Sequence, residues 1–114
     1  MITAEQITLL VGKRVEMVCF AQFSVYIHLD GGILLTVEAE FEHIHDGAHR
    51  GHRTTFPITE SGLISLLESS VVSAVLVTNG DLRIAFSSGE SLCISKEAGF
   101  ESYRLRIEGE EFIA

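Results

Sequence analysis

A chain of 114 residues and 12.5 kDa has the length of a single domain, with little room for a second one. Apolar residues make up 46% of it and charged residues 21%, a composition that excludes an intrinsically disordered protein. Sixteen acidic residues stand against eight Lys and Arg, which gives a net charge of -8. This charge excludes a nucleic-acid binder, because such a protein needs basic residues to displace counterions from phosphates.

The chain carries no sign of export or of a membrane anchor. Residues 1–11 have no basic segment ahead of a long apolar run, and no stretch approaches the roughly 18 apolar residues of a membrane span. The two cysteines, Cys19 and Cys93, lie in strand-like segments, and we interpret them as free thiols. We therefore expect a cytoplasmic protein without a membrane partner.

The first predicted element is a short helix. Thr3 is a suitable N-cap and Gln6 completes a capping box with it, while Gly12 ends the helix. The apolar residues that share its buried face are Ile7, Leu10 and Val11.

Three strands follow, and their turns predict their register. A turn at residues 21–24 connects the first two strands, and Asp30-Gly31-Gly32 forms a three-residue loop that ends in a left-handed glycine. This loop predicts the pairs Leu29–Ile33, Ile27–Leu35 and Val25–Val37.

Histidines and carboxylates are concentrated between residues 38 and 52. Two imidazoles two residues apart on a strand point to the same side, a spacing that suits zinc or nickel, and a loop histidine would complete the site. The candidate ligands are His43, His45, His49 and His52. The alternative is a solvated connection in which histidine is merely polar. Likewise, Glu38, Glu40 and Glu42 are either paired acids or the solvated face of one strand.

The second half is predicted to repeat this order. A helix follows Pro57, with Thr59 or Ser61 as its cap, and its predicted buried positions are Leu63, Ile64, Leu66 and Leu67. Asn79-Gly80 predicts a two-residue type I′ hairpin with the pairs Val77–Leu82, Val75–Ile84 and Ser73–Phe86. Ser87-Ser88-Gly89 predicts a three-residue loop with the pairs Phe86–Glu90, Ile84–Leu92 and Leu82–Ile94. A final hairpin is expected around Gly109.

Shifting the sequence by 57 residues aligns the apolar positions of the two halves. Ile7 falls on Ile64, and Gly32 falls on Gly89. We predict one α+β domain over residues 1–114, built from two half-repeats of a helix plus three strands, about 1–57 and 58–114. Short helices would cover one face of a two-layer antiparallel sheet. The predicted apolar face consists of Val18, Phe20, Val25, Ile27, Leu35, Val37, Val75, Val77, Leu82, Ile84, Leu92 and Ile94.

The second half also resembles a known type of domain. The residues that carry the resemblance are Leu66-Leu67, Val71, Val75, Asn79-Gly80-Asp81-Leu82, Phe86-Ser87-Ser88-Gly89, Leu92 and Phe100-Glu101-Ser102-Tyr103. Together they are similar to an uncharacterised bacterial domain family. Its members contain two half-repeats and tend to end in an aromatic-Glu-small-Trp segment followed by a closing hairpin, and Tyr103 stands here where Trp is commoner. The resemblance implies a bacterial, cytosolic protein and supplies no catalytic residue.

No arrangement typical of an active site is present in the sequence. The serines lie outside a nucleophile elbow, and Gly31-Gly32 lacks the spacing of a phosphate loop. Arg83, Arg104 and Arg106 are either an anion-binding patch or partners of neighbouring Glu residues. We expect a non-enzymatic protein-binding module, with immunity-like binding of a basic protein as one form, and metal or small-ligand binding as the alternative.

Self-association is a further expectation. The predicted polar sheet face and closing hairpin include five apolar or aromatic residues: Tyr26, Leu34, Leu76, Phe112 and Ile113. Burial of this surface by a second copy would give a homodimer, and the alternative is that the C-terminal hairpin folds back over it within one chain.

Overall fold

Two five-stranded antiparallel sheets dominate the part of the chain that this computed structural model describes, which comprises residues 2–44, 51–54, 63–77, 79–96, 102–107 and 109–113. For residues 51–54 the backbone alone is described. The elements, in chain order, are α1 (Ala4–Thr8), β1 (Val15–Ala21), β2 (Ser24–Leu29), β3 (Ile33–Val37), β4 (Phe41–Ile44), β5 (Gly51–Thr54), a 3-10 helix (Leu63–Leu66), β6 (Val71–Leu76), β7 (Leu82–Phe86), β8 (Ser91–Ile94), β9 (Tyr103–Ile107) and β10 (Glu110–Ile113).

The two sheets exchange strands between the two halves of the chain. The first sheet has the order β1-β2-β3-β9-β10 and the second has the order β5-β4-β8-β7-β6. Strand β4 therefore leaves the first half to pair with β8 and carries β5 on its other side. Strand β9 likewise leaves the second half to pair with β3 and carries β10 on its other side. The sequence did not predict this exchange, because the partner of a strand depends on contacts between residues far apart in the chain.

Buried side chains of both sheets form one apolar core. It includes Val25, Ile27 and Leu35 of the first sheet and Leu82 and Ile84 of the second. The prediction of short helices covering a single two-layer sheet was wrong: α1 has 5 residues and the 3-10 helix has 4, too few to cover a five-stranded sheet. The protein is β-rich, and each sheet buries the apolar face of the other.

The three-residue loops form as predicted in both halves. Gly32 and Gly89 have φ values of 77° and 92°, the left-handed conformation that the loops require. The pairs that follow from them are Leu29–Ile33, Ile27–Leu35 and Val25–Val37 in the first sheet and Ile84–Leu92 and Leu82–Ile94 in the second. At the remaining predicted pair, the Phe86 amide donates to the Glu90 carbonyl at 2.8 Å.

The hairpin between β6 and β7 differs from its prediction by one residue. Val77 donates to the Asp81 carbonyl, so the loop contains three residues rather than the two of a type I′ turn. Leu76 therefore pairs with Leu82, and Val75 pairs with Arg83. The reason is local: only Gly80 adopts a positive φ, of 96°, whereas Asn79 keeps a negative φ, which a type I′ turn does not allow.

This shift reverses the faces of β6. Val75 is 54% exposed, although it was predicted to be buried, and Leu76 packs against the core. At the end of β1, Phe20 is likewise 46% exposed. The other residues predicted to form the apolar face are buried or half-buried: Val18, Val25, Ile27, Leu35, Val37, Val77, Leu82, Ile84, Leu92 and Ile94.

The helices are shorter than predicted, and the capping signal of the first one was correct, although Val11, predicted to lie on its buried face, is exposed. Thr3 and Gln6 form the predicted capping box, in which the Gln6 amide donates to Thr3 Oγ1 and the Thr3 amide donates to Gln6 Oε1. In the second half a 3-10 helix replaces the predicted α-helix, so that only residues three apart, Leu63 and Leu66, are buried. Ile64 is 68% exposed. The predicted caps Thr59 and Ser61 lie outside the described residues.

Candidate functional site

The histidine segment meets the second sheet at β4 and β5. His43 lies in β4 with 2% of its surface exposed, and His52 stands directly opposite it in the register of β5. His45 and His49 lie outside the described residues, as does the side chain of His52. Where side chains are described, no three His, Cys, Asp or Glu residues are arranged to hold a metal ion.

His43 belongs to a buried polar network. Its Nε2 donates to Glu90 Oε2 at 2.6 Å, and Ser65 Oγ donates to the same oxygen, also at 2.6 Å. Glu90 is 7% exposed and enters from the residue before β8, so the network joins β4, β8 and the 3-10 helix. A buried carboxylate needs such donors, because burial removes the water that would otherwise solvate its charge.

The network keeps Glu90 ionised. Burial by itself raises the pKa of the carboxyl, but hydrogen bonds from Ser65, His43 and Ser88, together with the charge of His43, outweigh burial, and the net pKa lies below its usual value. Glu90 was not among the candidate functional residues predicted from the sequence. A signal was present, since Glu90 follows the left-handed Gly89 at the position where Ile33 follows Gly32 in the first half.

Tyr103 links the two sheets. It lies in β9 of the first sheet with its side chain fully buried, and its hydroxyl donates to the Gly80 carbonyl, in the β6–β7 loop of the second sheet, at 2.8 Å. Burial, helped by the negative charge of Asp81, raises the pKa of Tyr103 to about 12. The aromatic residue that the resemblance singled out is therefore an anchor of the core.

A row of ion pairs crosses the outer face of the first sheet. Arg104 Nε donates to Glu38 Oε1 at 2.7 Å, and Arg104 Nη1 donates to Glu111 Oε1 at 3.2 Å. The second oxygen of Glu111 accepts from Arg106 Nη2 at 3.2 Å. The arginines were interpreted either as an anion-binding patch or as partners of neighbouring Glu residues, and pairing with Glu holds for Arg104 and Arg106. Arg83 lies apart from them, in β7 of the other sheet.

The acidic residues before the histidines do not share one strand. Glu38 follows β3 of the first sheet, whereas Glu42 lies in β4 of the second. All three glutamates, at positions 38, 40 and 42, are half-buried and alternate with the buried residues Ala39, Phe41 and His43. Both interpretations, paired acids and the solvated face of one strand, assumed a single strand, and the structure does not contain it.

Exposed apolar side chains are concentrated on two edge strands and two short helical segments. Apart from Ile113, every large apolar residue that is exposed in the described ranges lies on or beside α1, β1, the 3-10 helix or β6: Leu9, Val11, Met17, Phe20, Phe23, Ile64, Leu67, Val72 and Val75. We call these nine residues the apolar edge surface. Leu76 and Phe112, which were expected to be exposed on another face, pack against the core instead.

The elements that carry the apolar edge surface are neighbours in the fold. β1 and β6 are the outer strands of their sheets, and an antiparallel bridge between Arg14 and Ser70 joins the segments in front of them. α1 contacts β6, and the 3-10 helix contacts β1. The first residues of these strands, Val15 and Val71, already form backbone hydrogen bonds with the segments that precede β6 and β1. Further along each strand, the outer edge offers backbone donors and acceptors beside the apolar side chains.

The structure also bears on the cysteines and on membrane-spanning helices. Cys19 and Cys93 are both free, as predicted, and burial raises the pKa of the Cys93 thiol. Within the described ranges, no helix has the length and apolar character needed to cross a membrane.

Comparisons with known proteins identify the chain at the level of family. Neither the curated proteins nor the solved structures contain a match. A family model described as "Family of unknown function (DUF6188)" matches residues 6–114, which confirms the resemblance to an uncharacterised domain family. Since this match spans nearly the whole sequence, the chain belongs to the family of unknown function DUF6188.

Proposed function

We propose that this protein is a non-enzymatic module that binds another protein through the apolar edge surface. The observation that carries the proposal is the concentration of exposed apolar residues on β1, β6 and the two short helical segments beside them. Large exposed apolar patches are uncommon on monomeric proteins and mark sites of interaction. An extended segment of the partner can add its backbone to the edge of β1 or β6.

The partner we propose is a basic protein in the bacterial cytoplasm, which an immunity-like protein would neutralise. The net charge of -8 attracts a cationic protein over a distance and speeds association at low salt. The apolar edge surface then supplies the short-range contacts. The two contributions are separable, because salt screens the first and leaves the second nearly unchanged.

Affinity capture from cells of the source organism tests this function. Val72→Ser combined with Val75→Ser removes two apolar side chains that are 55% and 54% exposed on β6, and Ile113→Ser is the matched control on β10. The proposal expects the parent protein and the control to capture the same basic protein and the double variant to lose it. Equal capture by all three proteins would contradict the proposal, and circular dichroism checks that each variant is folded.

We also infer that residues 1–114 are one domain of two half-repeats, about 1–57 and 58–114. Equivalent hydrogen bonds in the two halves support this inference. In the first half, the Arg14 amide donates to Asp30 Oδ1 and the Asp30 amide donates to the Arg14 carbonyl. In the second half, the Ser70 amide donates to Ser87 Oγ and the Ser87 amide donates to the Ser70 carbonyl. Each half, moreover, gives three strands to one sheet and two to the other. A gene fragment for either half alone is expected to yield an unfolded chain, since each would lack two strands of its sheet.

Metal binding is the second candidate function. The hydrogen bond from His43 to Glu90 favours it, because histidines that bind metals usually have their other ring nitrogen held by a carboxylate or carbonyl. We propose His43, His45, His49 and His52 as ligands of zinc or nickel. Calorimetric titration with each ion tests this: His49→Ala should weaken binding, and His28→Ala, on β2, should leave it unchanged. Equal affinities of both variants would contradict the metal site.

A further inference from the structure

A second surface, on the outer face of the first sheet, has the features of a small-molecule site. An open cleft of about 240 Å³ crosses β2, β3, β9 and β10. Its lining residues are Tyr26, Leu34, Thr36, Arg104, Arg106 and Glu111. We propose that this cleft binds a small zwitterion, namely an α-amino acid with an apolar side chain.

The register of the sheet builds the cleft from neighbouring positions. Thr36 of β3 stands between Tyr26 of β2 and Arg104 of β9. In the adjacent row, Leu34 pairs with Arg106, and Arg106 pairs with Glu111. Side chains on paired strands are held more firmly than side chains on loops, so these groups are positioned before a ligand arrives.

Two hydroxyl groups in the cleft have bonding capacity to spare. Thr36 is only 6% exposed, and neither its hydroxyl nor that of Tyr26 forms a hydrogen bond with a described residue. Among the described residues, no fully buried polar side-chain atom lacks a partner. Both oxygens are therefore reached by solvent, in the cleft that their residues line, and both can donate to a ligand carboxylate.

Arg106 supplies the positive charge for that carboxylate. It uses Nη2 for Glu111, and its Nε and Nη1 have no hydrogen-bond partner in the part of the chain described. Arg104 is more fully engaged, since it donates to both Glu38 and Glu111. The guanidinium of Arg106 can therefore donate to a ligand carboxylate without breaking its existing pair with Glu111.

The negative charge of Glu111 makes the site suit a zwitterion better than a simple anion. Glu111 accepts from the two arginines at 3.2 Å, longer than the roughly 2.7–2.9 Å of strong charge-assisted bonds. A ligand ammonium group beside this carboxylate would be attracted, whereas a second anion would be repelled. Leu34 offers an apolar surface for the ligand side chain. The volume is below the roughly 300–1,000 Å³ of pockets for drug-sized molecules, as expected for a small metabolite.

Three related compounds test the proposal with the full-length protein. Leucine carries both charges, 4-methylpentanoate lacks the ammonium group, and 3-methylbutylamine lacks the carboxylate. Titration of each, followed by amide chemical shifts, should show saturable changes at Thr36, Arg106 and Glu111 with leucine. The acid loses the contact with Glu111 and should bind about tenfold more weakly, because a hydrogen bond to a charged group contributes roughly a tenfold change in affinity or more. The amine loses the contacts of the carboxylate with Arg106, Thr36 and Tyr26 and should bind at least about 100-fold more weakly.

Variants separate this site from nonspecific effects. Arg106→Gln should lower leucine affinity about tenfold or more, and Arg83→Gln, on β7 of the other sheet, is the matched control that should not. Thr36→Val keeps the shape of the side chain and should also weaken binding. Absence of shifts with leucine at millimolar concentration, or equal binding of leucine and 4-methylpentanoate, would overturn the proposal. Since the apolar edge surface is not involved, either result leaves the proposed protein-binding function untouched.

Discussion

Replacement of Tyr103 by Phe should make the protein less stable at neutral pH and less sensitive to alkali. Tyr103 is fully buried, and its hydroxyl donates to the Gly80 carbonyl at 2.8 Å. Removing the hydroxyl leaves the rest of the ring in place, so the loss is one hydrogen bond, about 1 kcal/mol. For a chain of this length, that loss lowers the melting temperature by about 4 °C.

The pH dependence gives the sharper measurement. Burial raises the pKa of Tyr103 to about 12, above the usual value of 10.0, because the neutral hydroxyl is favoured in the folded protein. Its contribution is complete below pH 10 and is lost as the pH rises from 10 towards 12, since the unfolded chain ionises first. At pH 11, this difference in pKa between the folded and the unfolded protein lowers the free energy of unfolding by about 1.4 kcal/mol.

Urea unfolding of both proteins at pH 8 and pH 11 measures this effect. The parent protein should be more stable at pH 8, and the difference should shrink to near zero at pH 11. The variant serves as the control for every other group that titrates in alkali. If the two proteins lose the same free energy of unfolding between these pH values, the buried hydroxyl does not titrate as argued.

Two further predictions concern the turns and the apolar edge surface. Gly32→Ala and Gly89→Ala should each reduce the free energy of unfolding by about 1 kcal/mol or more, because both positions have a positive φ at which alanine is strained. Calorimetric melting measures this effect, and an unchanged melting temperature would contradict the predicted strain. Without a partner, the apolar edge surface should be covered by a second copy, so sedimentation equilibrium should give a homodimer at micromolar concentration, which Val75→Ser weakens. A mass of 12.5 kDa at every loading would contradict the dimer.

Local features of the fold were predictable from the sequence because they depend on neighbouring residues. The capping box of Thr3 and Gln6 and the loops ending at Gly32 and Gly89 all formed as expected. The Asn79-Gly80 loop was misjudged by one residue, since the dipeptide fits both a two-residue turn and a three-residue loop with only the glycine left-handed. That single difference decided which side of β6 is exposed.

Features that depend on distant residues were not predictable in this way. The exchange of β4 and β9 between the sheets, and the bond between His43 and Glu90, which are 47 residues apart, leave no local pattern. The four histidines within residues 43–52 predicted a candidate site there, but their spacing does not indicate that His43 is buried against the Glu90 carboxylate. Pairing with Glu was one of two interpretations of the arginines, and it holds for Arg104 and Arg106. The open cleft beside them required the strand register.

Glu90 is a position where the two halves differ in chemistry, and it yields the last prediction. Ile33 fills the equivalent place with an apolar side chain, whereas Glu90 is buried with a charge that His43 and Ser65 must balance. The pKa of Glu90 in the folded protein is lower than the usual value of 4.5, so the ionised carboxylate stabilises the fold at pH values above 4.5. This stabilisation is lost as the pH falls through the lowered pKa. Glu90→Gln should therefore destabilise the protein at pH 7, by about 1–3 kcal/mol, and by progressively less in acid.

Exposed Glu16→Gln is the matched control, since Glu16 forms no ion pair or hydrogen bond with a described residue. Urea unfolding between pH 7 and pH 3 should show the gap between parent and Glu90→Gln closing, and no such gap for Glu16→Gln. A constant gap for Glu90→Gln would mean that the side chain contributes by packing alone. Burial of a charged carboxylate, even with two hydrogen-bond donors, has a desolvation penalty that an isoleucine side chain does not have. The pH titration therefore tests whether the charge of Glu90 stabilises the packing of β4 against the 3-10 helix.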